Sequence, residues 1–175
     1  MVVISHKYKF IVFKSYKTAS TSIEDFFLKL LKRICYREEY DGPSFLHNGQ
    51  MITKHINPTK LFKIIPEIKD YYKICSIRNP FTHVVSAYIY NSRKVPTKLE
   101  LFNFINNCNY EKKQCFAREK KSIHTKTNTY HNYMLLDNKN CIDYLIRTEY
   151  IKEDITQLLK KLLPYLKIGI IEKFE

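Results

Sequence analysis

The segment that decides the fold is Tyr8-Lys9-Phe10-Ile11-Val12-Phe13-Lys14-Ser15-Tyr16-Lys17-Thr18-Ala19-Ser20-Thr21-Ser22, in which an apolar run passes directly into a hydroxyl-rich turn. Residues 8–13 are β-branched and aromatic, which predicts a buried strand. Beyond the turn, apolar side chains recur at the spacing of one helix face; they are Ile23, Phe26, Phe27, Leu30, Leu31 and Ile34. A Ser or Thr before this stripe predicts the N-cap, and we expect Glu24 and Asp25 in the first helical turn.

The same order of strand and helix recurs twice further along the chain. Residues 71–77 predict a strand that ends at Arg78-Asn79-Pro80, where a helix begins. Residues 141–146 predict another strand, followed by an amphipathic helix from Ile151 that Pro164 stops. Strands separated by helices predict an α/β fold, a parallel sheet flanked by helices on both faces. In such sheets, ligands bind at the carboxyl ends of the strands.

The remaining segments predict connecting elements of a single domain over residues 1–175, without a repeat or a linker. Asn57-Pro58 predicts the cap and first residue of a short helix through Ile65, and residues 98–106 predict a further helix. Residues 36–50 predict an irregular loop with its turn at residues 41–43, and residues 109–128 a long surface loop. A last short strand is expected at residues 167–171.

The amino-acid composition excludes several classes of function. Among 175 residues, 30 Lys and Arg face 17 Asp and Glu, a net charge of +13 that favours an anionic partner. The chain has 3 Gly, which excludes both a Walker A loop and a Rossmann dinucleotide fingerprint. The 5 Cys lack any C-x-x-C spacing, so we expect reduced thiols and no metal site. Without a signal peptide or an apolar run of about 18 residues, a soluble, cytoplasmic protein without membrane partners is expected.

Two strand-to-helix turns contain the residue types of an anion site. Residues 17–22 combine a lysine, several hydroxyls and the backbone N–H groups of a helix N-terminus, which attract negative charge. Arg78 follows the strand at 71–77, with Ser86 eight residues later, and an arginine binds phosphate in a bidentate manner. Taken singly, each turn also fits a simpler interpretation, an ordinary capped helix in the first case and an arginine paired with a surface carboxylate in the second.

In this order and spacing, the two turns resemble the sulfotransferases that depend on 3'-phosphoadenosine 5'-phosphosulfate, particularly the carbohydrate-sulfotransferase branch. Members of that family carry P-K-T-A/G-G/S-T-S after a strand, and later R-N-P-x-x-R-x-x-S-A-Y. This chain has Tyr16-Lys17-Thr18-Ala19-Ser20-Thr21-Ser22, then Arg78-Asn79-Pro80-Phe81-Thr82-His83-Val84-Val85-Ser86-Ala87-Tyr88. The resemblance covers roughly residues 7–165. It departs from the family at Tyr16, where relatives have proline, and at His83, where they have arginine.

The resemblance implies a P-loop-like, sulfotransferase-like fold and transfer of a sulfuryl group to a hydroxyl acceptor, a glycan or small molecule. It implies that the 5'-phosphosulfate is cradled by Lys17, Thr18, Ala19, Ser20, Thr21 and Ser22. By the same likeness, Arg78 and Ser86 hold the 3'-phosphate, Lys17 also stabilises the leaving oxygen, and 3'-phosphoadenosine 5'-phosphate is the product. No metal is demanded by this chemistry.

The acceptor hydroxyl needs a base, and His55 is the candidate. It matches a family segment through Lys54-His55-Ile56-Asn57-Pro58, and a neutral imidazole accepts a proton near pH 7. His47 and His124 are the alternatives.

Two other functions also fit the sequence. One is an atypical phosphoryl-transfer domain, against which the absence of glycine from residues 14–22 counts strongly. The other is a basic nucleic-acid-binding domain that uses lysines and aromatic residues within 109–128, although such a segment is more often a solvated face. No motif bears on the oligomeric state.

Overall fold

The computed structural model describes residues 2–34, 44–47, 49–53, 55–106, 134–136 and 139–166. The elements in chain order are β1 (Val3–Ser5), β2 (Phe10–Phe13), α1 (Ser20–Ile34), β3 (Ser44–His47), β4 (Gln50–Thr53), α2 (Pro58–Ile64), a 3-10 turn (Pro66–Ile68), β5 (Tyr72–Ile77), α3 (Pro80–Ser92), α4 (Lys98–Asn106), β6 (Leu135–Leu136), β7 (Lys139–Asn140), β8 (Tyr144–Arg147), a second 3-10 turn (Thr148–Tyr150) and α5 (Ile151–Leu166).

The central sheet has the strand order β1-β2-β5-β8. Strands β2, β5 and β8 are parallel, with Phe13 opposite Cys75 and Cys75 opposite Leu145, whereas β1 pairs with β2 in the antiparallel direction. The fold is therefore α/β with a mixed sheet, and the three parallel strands end at one edge. Three strand-to-helix connections leave that edge: the first turn (residues 14–19), the second turn (residues 78–79) and the third turn (residues 148–150).

Helices cover both faces of the sheet because successive side chains of a strand point to opposite sides. On one face, Phe10 and Val12 lie in a buried cluster with residues of α1 and α5, namely Ile23, Phe27, Leu30, Leu158 and Leu162. On the other face, Ile11 and Phe13 share a cluster with residues of β4, α2 and the first 3-10 turn, namely Ile52, Leu61, Phe62 and Ile68. Each fully buried aliphatic or aromatic side chain of these clusters stabilises the fold by about 1.5–3 kcal/mol.

Most of the expected elements are confirmed. The strands expected at 8–13 and 71–77 are β2 and β5, with somewhat shorter bounds, and the strand expected at 141–146 is β8, which begins later and ends one residue further on. The helix after Asn57 is α2, and the Asn57 side chain accepts a hydrogen bond from the Lys60 N–H, as an N-cap does. The helices expected from Pro80 and over 98–106 are α3 and α4.

Four details of the sequence-based prediction are wrong. Residues 44–47 and 50 belong to the β3–β4 hairpin rather than to a loop, and Gly49 takes the left-handed conformation (φ 76°) that its turn requires. Strand β1 was not expected at all. Helix α1 begins at Ser20, so Glu24 and Asp25 lie beyond its first turn. Helix α5 runs past Pro164 to Leu166, because a proline in the last turn removes a single hydrogen bond.

Several predicted segments lie outside the described residues: 36–43, 109–128 and 167–171. Within the described part of the chain, no helix has both the length and the apolar composition needed to cross a bilayer.

Candidate active site

The first turn has an unusual backbone for a segment without glycine. Lys17 and Ala19 have φ values of 57° and 53°, in the left-handed region that L-residues avoid. This conformation costs about 1–2 kcal/mol per residue, so other contacts must hold it. The turn then joins the N-terminus of α1, where the N–H of Ile23 donates to the carbonyl of Ala19.

A buried cluster of three hydroxyls fastens the first turn to the neighbouring strand. The Ser15 hydroxyl lies 2.8 Å from that of Thr18 and donates to the Ser76 carbonyl at 2.6 Å. The hydroxyls of Thr18 and Ser76 are 2.7 Å apart. All three residues are at most 2% exposed. The Thr18 hydroxyl is therefore part of the internal support of the turn.

Two adjacent cavities open along the first and second turns. The first-turn cavity, of about 220 Å³, is lined by Lys14, Tyr16, Lys17, Thr18, Ala19, Ser20, Thr21, His55, Ala87 and Tyr90. The α3 cavity, of about 680 Å³, is lined by Lys17, Arg78, Phe81, Thr82, Val85, Ser86, Ile89, Tyr90 and Arg93. Lys17 and Tyr90 line both. The structure thus brings together every predicted site residue except Ser22, whose side chain is exposed and lines neither cavity.

Lys17 stands in a positive environment. Its Nζ lies 3.9 Å from the centroid of the Tyr90 ring, and the guanidinium of Arg93 lies 5.1 Å from the same ring. Burial, together with the charges of Arg78 and Arg93, lowers the pKa of Lys17 below its usual value. An anion bound beside Lys17 would counter that repulsion.

Lys14, three residues earlier, has a different role. Its ammonium forms a close ion pair with Glu24 of α1, and both side chains are largely buried. Burial is the largest single influence and raises the pKa of Glu24, but the opposing influences together, led by the hydrogen bond from Lys14, leave that pKa below its usual value. The two lysines of the first turn are therefore not equivalent, and Lys17 is the one suited to a ligand.

Arg78 joins the second turn to the first. Its Nη1 donates to the carbonyl of Lys17 at 3.3 Å, and its Nε donates to the Thr82 hydroxyl at 3.1 Å. Glu149 of the third turn accepts from the Asn79 N–H at 3.0 Å; this bond, with smaller help from Arg78, lowers its pKa. Arg78 is thus held in place at the α3 cavity, which Ser86 also lines.

His55 lies at the first-turn cavity in a defined orientation. Its Nδ1 is 2.9 Å from the Lys14 carbonyl, and its ring stacks on Tyr16 with centroids 3.9 Å apart. A carbonyl only accepts hydrogen bonds, so Nδ1 carries the hydrogen and the basic lone pair of the neutral ring lies on Nε2. The imidazole and Lys17 line the same cavity, which is the arrangement a base and a cation need to act on one substrate.

Tyr90 and Arg93 are among the lining residues that sequence reasoning missed. Arg93 ends α3 in the left-handed conformation (φ 61°), and its N–H donates to the Ile89 carbonyl. A signal was present, because Ser86, Tyr90 and Arg93 stand at i, i+4 and i+7 on one helix face.

The structure describes only one of the two alternative bases, His47. His47 is on β3 and lines neither cavity, while His124 and the basic segment 109–128 lie outside the described residues. Among the residues that the structure describes, no group of three or more His, Cys, Asp or Glu side chains could hold a metal ion.

No family model matches the chain, and neither a curated protein nor a solved structure was found to match it.

Proposed function

We propose that this protein is a sulfuryl transferase with a P-loop-like, sulfotransferase-like fold, which moves the group from 3'-phosphoadenosine 5'-phosphosulfate to a hydroxyl acceptor such as a carbohydrate. One observation carries the proposal. Lys17 lines two adjacent cavities, of which one contains His55 and the other contains Arg78, Ser86 and Arg93. The donor has two separated anionic groups, one for each cavity. The acceptor has one proton to lose, and His55 in the first-turn cavity could accept it.

The donor's two anionic ends match the two cavities. The 5'-phosphosulfate would bind residues 17–22, where the backbone N–H groups at the start of α1 and the Lys17 ammonium favour negative charge. The 3'-phosphate would bind Arg78 and Ser86, with Arg93 as an additional cation from the end of α3. The apolar side chains of Phe81, Val85 and Ile89 line the same cavity and suit a nucleobase, and its volume of about 680 Å³ is that of a small-molecule site.

Residues of this chain can receive both the proton and the negative charge that the transfer step releases. The acceptor oxygen forms a bond to sulfur while the bond between sulfur and the 5'-phosphate oxygen breaks. The electron pair of the broken bond stays on the phosphate oxygen, beside the Lys17 ammonium, and the acceptor proton goes to Nε2 of His55. Such a loose, anionic transition state depends mostly on positioning and on cations.

Thermal unfolding with nucleotides tests the proposal. We expect 3'-phosphoadenosine 5'-phosphate at about 100 times its dissociation constant to stabilise the protein by about 2.7 kcal/mol, a rise of several degrees in the midpoint. AMP, which lacks the 3'-phosphate, should give a clearly smaller shift. Arg78→Ala should lose the difference between the two nucleotides, whereas Lys98→Ala, an exposed cation that lines neither cavity, should keep it.

The competing functions give other outcomes. A larger shift with ATP than with the 3'-phosphorylated nucleotide would favour phosphoryl transfer and overturn the proposal. Tight RNA or DNA binding with a steep salt dependence, and no nucleotide shift, would favour the nucleic-acid-binding alternative.

A further inference from the structure

Four consecutive backbone carbonyls of the first turn each accept a hydrogen bond from a protein side chain. The pairs are Lys14 with His55 Nδ1 at 2.9 Å, Ser15 with Thr18 Oγ1 at 3.2 Å, Tyr16 with His83 Nε2 at 2.9 Å, and Lys17 with Arg78 Nη1 at 3.3 Å. Such complete side-chain satisfaction of a short, irregular segment fixes the direction of each peptide plane.

The direction of the carbonyls determines the direction of the N–H groups. In a planar trans peptide, the N–H of the next residue points opposite to the carbonyl. The N–H groups of residues 15–18 therefore point away from the four donors. Glycine usually gives a phosphate-binding turn its left-handed conformations, but residues 14–19 contain none. Here Lys17 and Ala19 adopt them, so side-chain donors must supply the constraint.

His83 differs from the other three donors in its position. It lies in the first part of α3, where its own N–H donates to the Asn79 carbonyl at 2.8 Å, and it lines neither cavity. Its half-buried ring stands near Arg78 and Lys17; burial and those charges lower its pKa, which keeps the imidazole neutral at pH 7. The Tyr16 carbonyl accepts from Nε2, so Nε2 carries the hydrogen.

We propose that His83 is a positioning residue for the donor site. Its Nε2–H holds the Tyr16 carbonyl, next to the carbonyl held by Arg78, and so keeps a glycine-free turn in the conformation that directs backbone N–H groups toward an anion. The inference rests on the proposed function for the identity of that anion. The role in turn geometry stands on the hydrogen bonds alone.

Three substitutions separate this role from general packing. His83→Leu removes the donor. His83→Gln keeps an N–H at the distance of Nε2, and His83→Asn keeps an amide that is too short to reach the Tyr16 carbonyl. Two readouts are used: the strong intraresidue NOE between the amide and α protons that marks positive φ, recorded at Lys17 and Ala19 without ligand, and the dissociation constant for 3'-phosphoadenosine 5'-phosphate from calorimetry. Urea unfolding of each variant reports whether the fold is kept.

The expected result is that His83→Leu and His83→Asn lose the positive-φ signature and bind the nucleotide about tenfold more weakly, because one hydrogen bond to the turn is gone. His83→Gln should retain both properties. The inference is overturned if His83→Asn keeps the signature and the affinity, or if His83→Gln loses them as fully as His83→Leu. If the wild-type protein fails to bind the nucleotide while the NOE pattern changes as expected, the proposed function falls and the positioning role stands.

Discussion

The first and third turns leave the same edge of the sheet, yet the pKa of the basic side chain at each turn is shifted in opposite directions. Across the third turn, Arg147 at the end of β8 donates to Asp154 at the start of α5 from its backbone N–H, its Nε and its Nη2, at 2.7, 3.0 and 2.7 Å. Hydrogen bonding to Arg147 lowers the pKa of Asp154, and the same bond raises the pKa of Arg147. In the first turn, the pKa of Lys17 is instead lowered, by burial and by two further cations.

Arg147 therefore supports the fold through a bound carboxylate, whereas the surroundings of Lys17 favour a bound anion. The Arg147–Asp154 pair is complete, since each partner stabilises the charge of the other. Lys17 shares the α3 cavity with two further cations, Arg78 and Arg93, whose charges help to lower its pKa, so an anion bound there would stabilise the Lys17 ammonium. Substitutions in the third turn should therefore alter stability, and substitutions in the first turn should alter binding and turnover.

The largest expected effect is on turnover, from His55→Asn. Asparagine keeps an N–H near the position of Nδ1, and so the hydrogen bond to the Lys14 carbonyl, but lacks the base at Nε2. We expect kcat to fall by about 10²–10⁴-fold, the usual contribution of a general base. The dissociation constant for 3'-phosphoadenosine 5'-phosphate should stay within about twofold of the wild-type value, because the first turn keeps its support.

Two other outcomes of the His55→Asn experiment would contradict the role of His55 as the base. If kcat is unchanged, His55 supports the turn and is not the base. If kcat and nucleotide affinity fall together, the variant has damaged the turn, and the role of the base is left without support. Steady-state assays with the sulfuryl donor and a panel of hydroxyl acceptors, with calorimetry alongside, provide both numbers.

A smaller effect, on stability alone, is expected from Asp154→Asn. Asp154 is 3% exposed, and loss of its charge weakens the bonds from Arg147. We expect the free energy of unfolding in urea at pH 7 to fall by about 2 kcal/mol, with nucleotide affinity unchanged. The folded-state pKa of Asp154 lies below its usual 3.8, so the wild-type advantage is present above pH 3.8 and is lost as the pH falls below it.

Equal stabilities of the two proteins at pH 7 would contradict the view of the third turn as a structural support. A loss of nucleotide affinity in Asp154→Asn would show instead that the two turns share one function.

The repeating units of the fold were predictable because they depend on local patterns. The β2–α1 unit has an apolar run followed by a stripe at helical spacing, and both were found. Strand β1 was missed because three residues at an antiparallel edge give too short a pattern, and its strand state comes from pairing with β2. The β3–β4 hairpin was missed for a similar reason, because it gives no repeating apolar pattern. Among residues 47 and 49–53, Ile52 is the one fully buried side chain.

The charged residues of the site were predictable from the sequence, but the hydrogen bonds that hold the first turn in place were not. Lys17 and Arg78 follow strands at positions that a parallel sheet brings together, and the structure places both at the α3 cavity. The partnership of Ser15 with Ser76 depends on the register of β2 against β5, which no local pattern records. The hydrogen bond from His83 to Tyr16 likewise spans 67 positions of the sequence.

Whether the first turn is the donor site can be tested by calorimetric titration of 3'-phosphoadenosine 5'-phosphate into the wild-type protein and Lys17→Met, a variant of similar side-chain length without the charge. We expect saturable binding to the wild type and a loss of affinity of about 10–100-fold in the variant, as for a hydrogen bond to a charged group. The melting temperature without ligand should stay equal or rise, because repulsion from Arg78 and Arg93 is relieved. Equal affinities, or no binding to the wild type, would contradict the assignment of the first turn as the donor site.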